Sequence, residues 1–309
     1  PWMIAAWPGM GNVAVIAAGY LVQELAMDEG ESLAPGNHFD VADVTVTNGV
    51  VDPVSLPRGI FFRWMNPGPG RDLIVFISEA QPSQGTLAYA HELLDAAARM
   101  NVERIVTFAS LASGLHPAEH PRVWGVATDE RMVAELRSAE IEPIPDGQIG
   151  GLNGLVLGVA RTRNMPGMCL LAEIPFFAMQ IPNPKASRAA LSVFSVLANV
   201  EISLESLSRQ AAAVDRALLK AMEQMRESGE GEIELPPEPE TAAPPETPRP
   251  GERAPEPTLD HASVERIEKL FQAAARDLDK AVALKAELDR LGVFARYEGR
   301  FLDLFRRAG

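Results

Sequence analysis

Pro1 to Gln23 carry no charged side chain, although 23% of the whole chain is Asp, Glu, Lys or Arg. So apolar a run has to be buried, and few arrangements bury it. A secretory signal needs a basic stretch ahead of its apolar core, and none is present. A membrane span would hold Pro8-Gly9-Met10-Gly11-Asn12 at its centre, where freed backbone groups meet no water. The run reads instead as a buried strand over 2–7, a glycine turn, and a helix over 12–26 that is apolar almost all round.

The rest of the first two thirds repeats this alternation. Residues 72–77 (Asp-Leu-Ile-Val-Phe-Ile) form a continuous apolar strand of the kind covered on both faces. A helix over 84–100 follows, with Leu87, Ala90, Leu94 and Ala97 on one side. Further strands are expected at 104–109, 123–126 and 168–173, and further helices at 129–139, 152–163 and 184–197. Segments 40–51 and 59–64, rich in β-branched and aromatic residues, are expected to pair antiparallel. Strands alternating with helices of ten or more residues predict an α/β fold: three layers, with a mostly parallel sheet flanked by helices.

From Gly229 to Pro257 the composition changes sharply, to nine prolines, eight glutamates and two arginines with no aromatic side chain. Proline removes backbone donors, the glutamates repel, and little apolar area offsets the ordering entropy. The expected organisation is an α/β domain over 1–228 ending in a long helix, a disordered Pro/Glu-rich linker over 229–258, and a C-terminal helical hairpin over 259–309. Leu204, Leu207, Ala211, Val214, Leu218, Ala221 and Met225 step by 3 and 4, a coiled-coil-like heptad seam. Val264, Ile267, Phe271, Ala274, Leu278 and Ala281 repeat it. Each seam has to dock on its own domain, on the other, or on a neighbouring subunit.

The net charge of −14 argues against nucleic acid and anionic membranes as partners, since both select a basic face. A single cysteine, Cys169, excludes an internal disulfide framework and a multi-thiolate metal site, and points to a cytoplasmic compartment. It lies in an apolar strand with no cation nearby, so it reads as a small buried hydrophobe. His116-Pro117-Ala118-Glu119-His120 fits the inverted zinc-protease string, but Pro117 and Pro121 break the helix that string needs. No metal, cofactor or catalytic residue is assigned. Gly9-Met10-Gly11-Asn12-Val13-Ala14 fits a dinucleotide-binding turn, yet the acid expected at the end of the second strand is missing. Asp28 and Glu29 fall at the end of the first helix, and Asp43 opens a strand. A tight structural turn whose amides face a cleft or an interface is the simpler reading.

Open α/β sheets place ligands at the carboxyl ends of their strands. The polar groups expected there are Glu79 and Gln81 after one strand, Ser110 after the next, Thr128 and Asp129 after another, and Glu173. Gln148, Gly150, Gly151 and Asn153 open a helix with glycines that allow close backbone approach. With Gly9, Met10, Gly11 and Asn12 they are the ligand- or partner-binding candidates. Thr128 or Asp129 also reads as an ordinary helix N-cap.

Pro8-Gly9-Met10-Gly11-Asn12-Val13-Ala14 resembles the N-terminal signature of the proteasome assembly chaperone family, in its second, Pac-two, branch. So do Glu79-Ala80-Gln81-Pro82, Val126-Ala127-Thr128-Asp129-Glu130, Gln148 to Leu155, and Glu173-Ile174-Pro175 with Asn183-Pro184-Lys185-Ala186, in the family's order. The resemblance spans about residues 2–205. The segment from Leu288 to Phe305 is similar to the helical tail of larger prokaryotic members. The resemblance implies a nucleoside-phosphorylase-like α/β fold, homo-oligomers (a trimer or a multiple of it), no established catalysis, and a proteasome-related protein partner. Some members dock through a C-terminal hydrophobic–tyrosine–any-residue tripeptide; this chain ends Arg307-Ala308-Gly309, so that mode is not expected of it. The leading expectation is a non-enzymatic assembly chaperone acting through self-association and partner contacts. The alternative is an enzyme or sensor for a nucleotide- or nucleoside-like ligand at the strand-end cleft, oriented by Glu79, Asp129 and Asn153.

Overall fold

The computed structural model describes residues 1–40, 44–227, 266–267 and 269–271. The chain divides into two units, Pro1–Glu238 and Pro239–Gly309. The first is built on a seven-stranded sheet. Its centre is β1 (Trp2–Ala6), every residue of which is buried. β1 runs parallel between β6 (Leu73–Ser78) and β7 (Arg104–Ser113), and β7 runs parallel to β9 (Gly167–Pro175). Because side chains alternate along a strand, Trp2, Ile4 and Ala6 enter one apolar cluster while Met3 and Ala5 enter the other.

The antiparallel edges differ from the sequence expectation. β5 (Gly59–Trp64) pairs with β6 and, on its other side, with β2 (Asp28–Leu33), not with 40–51. Asp28 and Glu29 therefore start a strand rather than end a helix. The sequence of β2, Asp-Glu-Gly-Glu-Ser-Leu, is exposed along nearly its whole length, so it carries no apolar alternation to read. Charges on an outermost strand are how sheets protect an open edge. The segment expected as a strand over 40–51 is a hairpin of β3 (Val46–Thr47) and β4 (Val50–Val51), closed by Asn48 and Gly49 at positive φ. At the far edge β8 (Val123–Ala127) runs antiparallel to β9.

Helices cover both faces. α1 (Val13–Glu24) packs between the sheet and α5 (Pro184–Ala198), which accounts for its all-round apolar surface. α3 (Glu130–Ser138) lies on the same face through Met132 and Leu136. α2 (Thr86–Arg99) and α4 (Leu152–Thr162) cover the other face. The buried stripe of α2 is Tyr89, Ala90, Leu93, Leu94 and Ala97; Leu87, expected within it, sits in the first turn and is exposed.

α6 (Glu205–Glu227) settles the first heptad seam within its own unit: it packs on α5, with Leu207, Ala211 and Leu218 buried. Lys185 and Asp215 pair at 2.9 Å across that contact, and Arg188 donates to the Ser208 hydroxyl at 3.0 Å. In the second unit residues 266–267 and 269–271 are helical, with Ile267 and Phe271 buried. The expected linker, the rest of the helical hairpin and the chain terminus lie outside the described residues. Among the described residues no helix is long and apolar enough to cross a membrane.

Candidate functional site

At the carboxyl end of β1 the chain must turn from sheet to helix within a few residues. A 3-10 turn, Met10–Asn12, makes that link with two successive left-handed residues, Gly11 (φ 61°) and Asn12 (φ 50°). Glycine and asparagine are the residues that adopt this region most readily. A Cβ on Gly11 would also stand 3.2 Å from the Asn183 Cβ.

The candidate polar groups converge on this turn and hold it. The Asn153 side-chain amide continues the ladder of β1, accepting from the Trp7 N–H (3.2 Å) and donating to the Trp7 carbonyl (3.4 Å). Thr107 on β7 donates to the Asn153 carbonyl at 2.7 Å. Gln81 donates to the Pro8 carbonyl at 2.8 Å and accepts from Leu152 N–H at 3.0 Å, satisfying one open amide at the start of α4. Gly151 (φ 70°) makes room for it, since the Gln81 amide nitrogen lies 3.0 Å from where a Cβ would be. Ser110 donates to the Met10 carbonyl at 2.6 Å. Gly11 N–H donates to Met179 carbonyl at 2.6 Å, and its own carbonyl accepts from Asn183 N–H at 2.8 Å. Asn183 also caps α5 through Ala186 N–H. The Trp7 indole N–H is buried and meets no partner among the described residues, its ring packed on Phe76 at 5.6 Å.

Other candidates stand apart. Glu79 is engaged by Arg58 through two side-chain bonds (2.8 and 3.1 Å) and the Arg58 N–H (2.9 Å). That backbone bond first, then the guanidinium, holds the Glu79 carboxyl below the usual carboxylate range. Thr128 and Asp129 do not join the turn, because β8 is antiparallel and ends where the parallel strands begin. There Thr128 accepts from Gly167 N–H at 2.9 Å, and Asp129 caps α3 through Met132 N–H at 2.9 Å. Glu173 accepts from the Trp124 indole and Arg122 N–H. Gln148 is exposed, and Gly150 has open space around it. Burial pushes the Cys169 thiol up to about 12. His116 and Glu119 form a small loop, and among the described residues no group of three potential ligands surrounds a metal position.

The rim of the turn is apolar. Met10 (42% exposed), Met179 (37%) and Ile181 (40%) are brought together by the backbone bonds of Gly11 and Asn183, with half-buried Phe176 and Phe177 beside them. Sequence reasoning missed Met179, Ile181 and Thr107. The only local signal for the first two was apolar side chains just ahead of the Asn183-Pro184 helix start.

Fold and turn together define a doubly covered α/β body on a mixed sheet with a parallel centre, whose strand-end polar groups close onto its own backbone. The chain belongs to the PAC2 family, whose sequence profile matches residues 3–222. An uncharacterized protein of Methanocaldococcus jannaschii is 26% identical over 223 residues, 71% of this chain and 81% of the relative. The crystal structure of Pyrococcus furiosus PbaB, an archaeal proteasome activator, is similar with a TM-score of 0.62 at 28% identity, covering 72% of this chain and 93% of PbaB. A proteasome-assembly chaperone homologue of Mycobacterium tuberculosis shares the fold at a TM-score of 0.62 and 21% identity, over 71% and 94% of the two chains.

Proposed function

We propose that this chain is a non-enzymatic, proteasome-related assembly factor that works by self-association and by contact with a protein partner. One observation carries the reading: at the strand end where an α/β enzyme would bind its ligand, Gln81, Ser110 and Asn153 are spent on the chain's own turn, and Met10, Met179 and Ile181 face outward. Flexible, polarizable methionine suits surfaces that must fit a partner's shape. The likeness to PbaB, a proteasome activator, supplies the class of partner. Glu79 is engaged by Arg58, the Asn153 amide by the Trp7 backbone, and Asp129 lies at the other end of the sheet, so the three do not converge on one ligand position.

Binding of the full chain to the 20S proteasome core of its own organism, read by interferometry, tests this. Binding that weakens at least tenfold in Met10→Asp, with unchanged melting, is the expected result. A Met10→Asp variant that binds as tightly as the parent overturns the site. A full chain that ignores the core particle but is stabilised by nucleotides overturns the function.

A further inference from the structure

The hairpin between β2 and β5 is an apolar arm that no described residue covers. Val44, Val46, Val50, Val51 and Val54 are 51–69% exposed. Val46 pairs with Val51 and Thr47 with Val50, so valines stand on both faces of the ribbon. Its hydrogen bonds close on themselves: Asp52 N–H donates to the Thr45 carbonyl, and Thr47 donates to the Asp52 carboxylate. A lone two-stranded hairpin is marginal in water, and clustered exposed valines mark a surface that is covered in use.

At the opposite edge of the sheet is a groove of about 640 Å³ between β8 and α5. Val123, Trp124, Arg188 and Val193 line it, together with Arg122 and the carboxylates of Glu140 and Glu142. The outer ladder of β8 is closed at Gly125, which bonds Glu142 carbonyl and Ile144 N–H. Val123 has the same outward parity as Gly125, two residues earlier, and among the described residues its outward N–H and carbonyl meet no partner. The Arg122 guanidinium is likewise unpaired among them, whereas Lys185 is already matched by Asp215. Residues 40–57 contain three aspartates and no lysine or arginine.

From these we infer that the Val44–Val54 arm of one copy docks in the β8–α5 groove of a second copy, adding a strand beside Val123 and setting Asp52 near Arg122. Strand addition to an open edge supplies backbone bonds, and the valines supply apolar area. The arm leaves one edge of the sheet and the groove lies at the other, so the contact is head-to-tail. Repeated, such a contact builds a ring where its rotation closes and a filament where it does not. The inference rests on the self-association in the proposed function and names the surface that carries it.

Mixing copies tests it, with mass read by light scattering on the full chain. The parent is expected to be an oligomer. An arm variant (Val46→Asp with Val50→Asp) and a groove variant (Arg122→Glu with Ser192→Trp) should each run as a single chain, with parental circular dichroism. Mixed one to one they should form a dimer, since one intact arm meets one intact groove. An arm variant that keeps the parental mass, or a mixture that stays monomeric, overturns this surface and leaves self-association standing. A parent that is monomeric at every concentration overturns both. As a measurement independent of variant folding, Val46→Cys with Val123→Cys should give covalent oligomers on oxidation while Cys169 stays buried and unreactive; no covalent oligomer contradicts the contact.

Discussion

Two connections leave this sheet, and they are built in opposite ways. The turn over 8–12 is bonded from β7, α4, the residues after β6 and the approach to α5, so distant parts of the chain agree on a single conformation. Among the described residues the arm over 44–56 bonds only to itself, and its valines are exposed. The lesson is that polar residues at a strand end do not identify a ligand site until their partners are counted. Here the polar positions are structural and the apolar ones are free to act.

Breaking the turn should cost most. Asn153→Leu leaves the buried Trp7 N–H and carbonyl unpaired, and a loss of about 3 kcal/mol in denaturant unfolding is expected, since each orphaned group costs roughly 1–3 kcal/mol. A loss below about 1 kcal/mol would mean the turn is not held from α4. Gly11→Ala meets a left-handed backbone and a 3.2 Å approach, and should lose about 1–2 kcal/mol by the same measurement.

Glu79 offers a smaller, pH-dependent test. Its folded pKa is depressed, so its stabilisation is present above the ordinary glutamate pKa and is lost as pH falls through the folded value. The pair with Arg58 is largely exposed, so Glu79→Gln should remove less than about 1 kcal/mol at neutral pH and flatten the acid limb of the stability curve. The smallest effect belongs to the arm. Val50→Asp should change the stability of the dilute chain by less than about 0.5 kcal/mol, because no packed contact is lost. A large loss there would erase the contrast between the two connections.

The sequence reveals the centre of this molecule better than its margins. The charge-free start predicts β1, the turn and α1, and the Asp129 and Asn183 caps sit where helices begin. β2 was illegible because an exposed edge strand needs no apolar alternation. Thr128 and Asp129 do follow a strand, but β8 is antiparallel and carries them to the opposite end of the sheet; strand direction depends on pairing, which a single strand's residues do not encode. Asn153 was singled out as a possible ligand contact, but its partner, the Trp7 backbone, lies 146 residues away and only the fold brings them together. Met179 and Ile181 look like ordinary loop residues until Gly11 ties their segment to the turn.

Hydrogen exchange of the full chain, alone and with saturating proteasome core, tests the contact role most directly. Added protection at Met10 and across 176–181 is the predicted result, with the amides of the Asn153-bonded turn already slow in the free chain. Unchanged exchange at the apolar rim, or protection there only when a nucleotide is added, would contradict it.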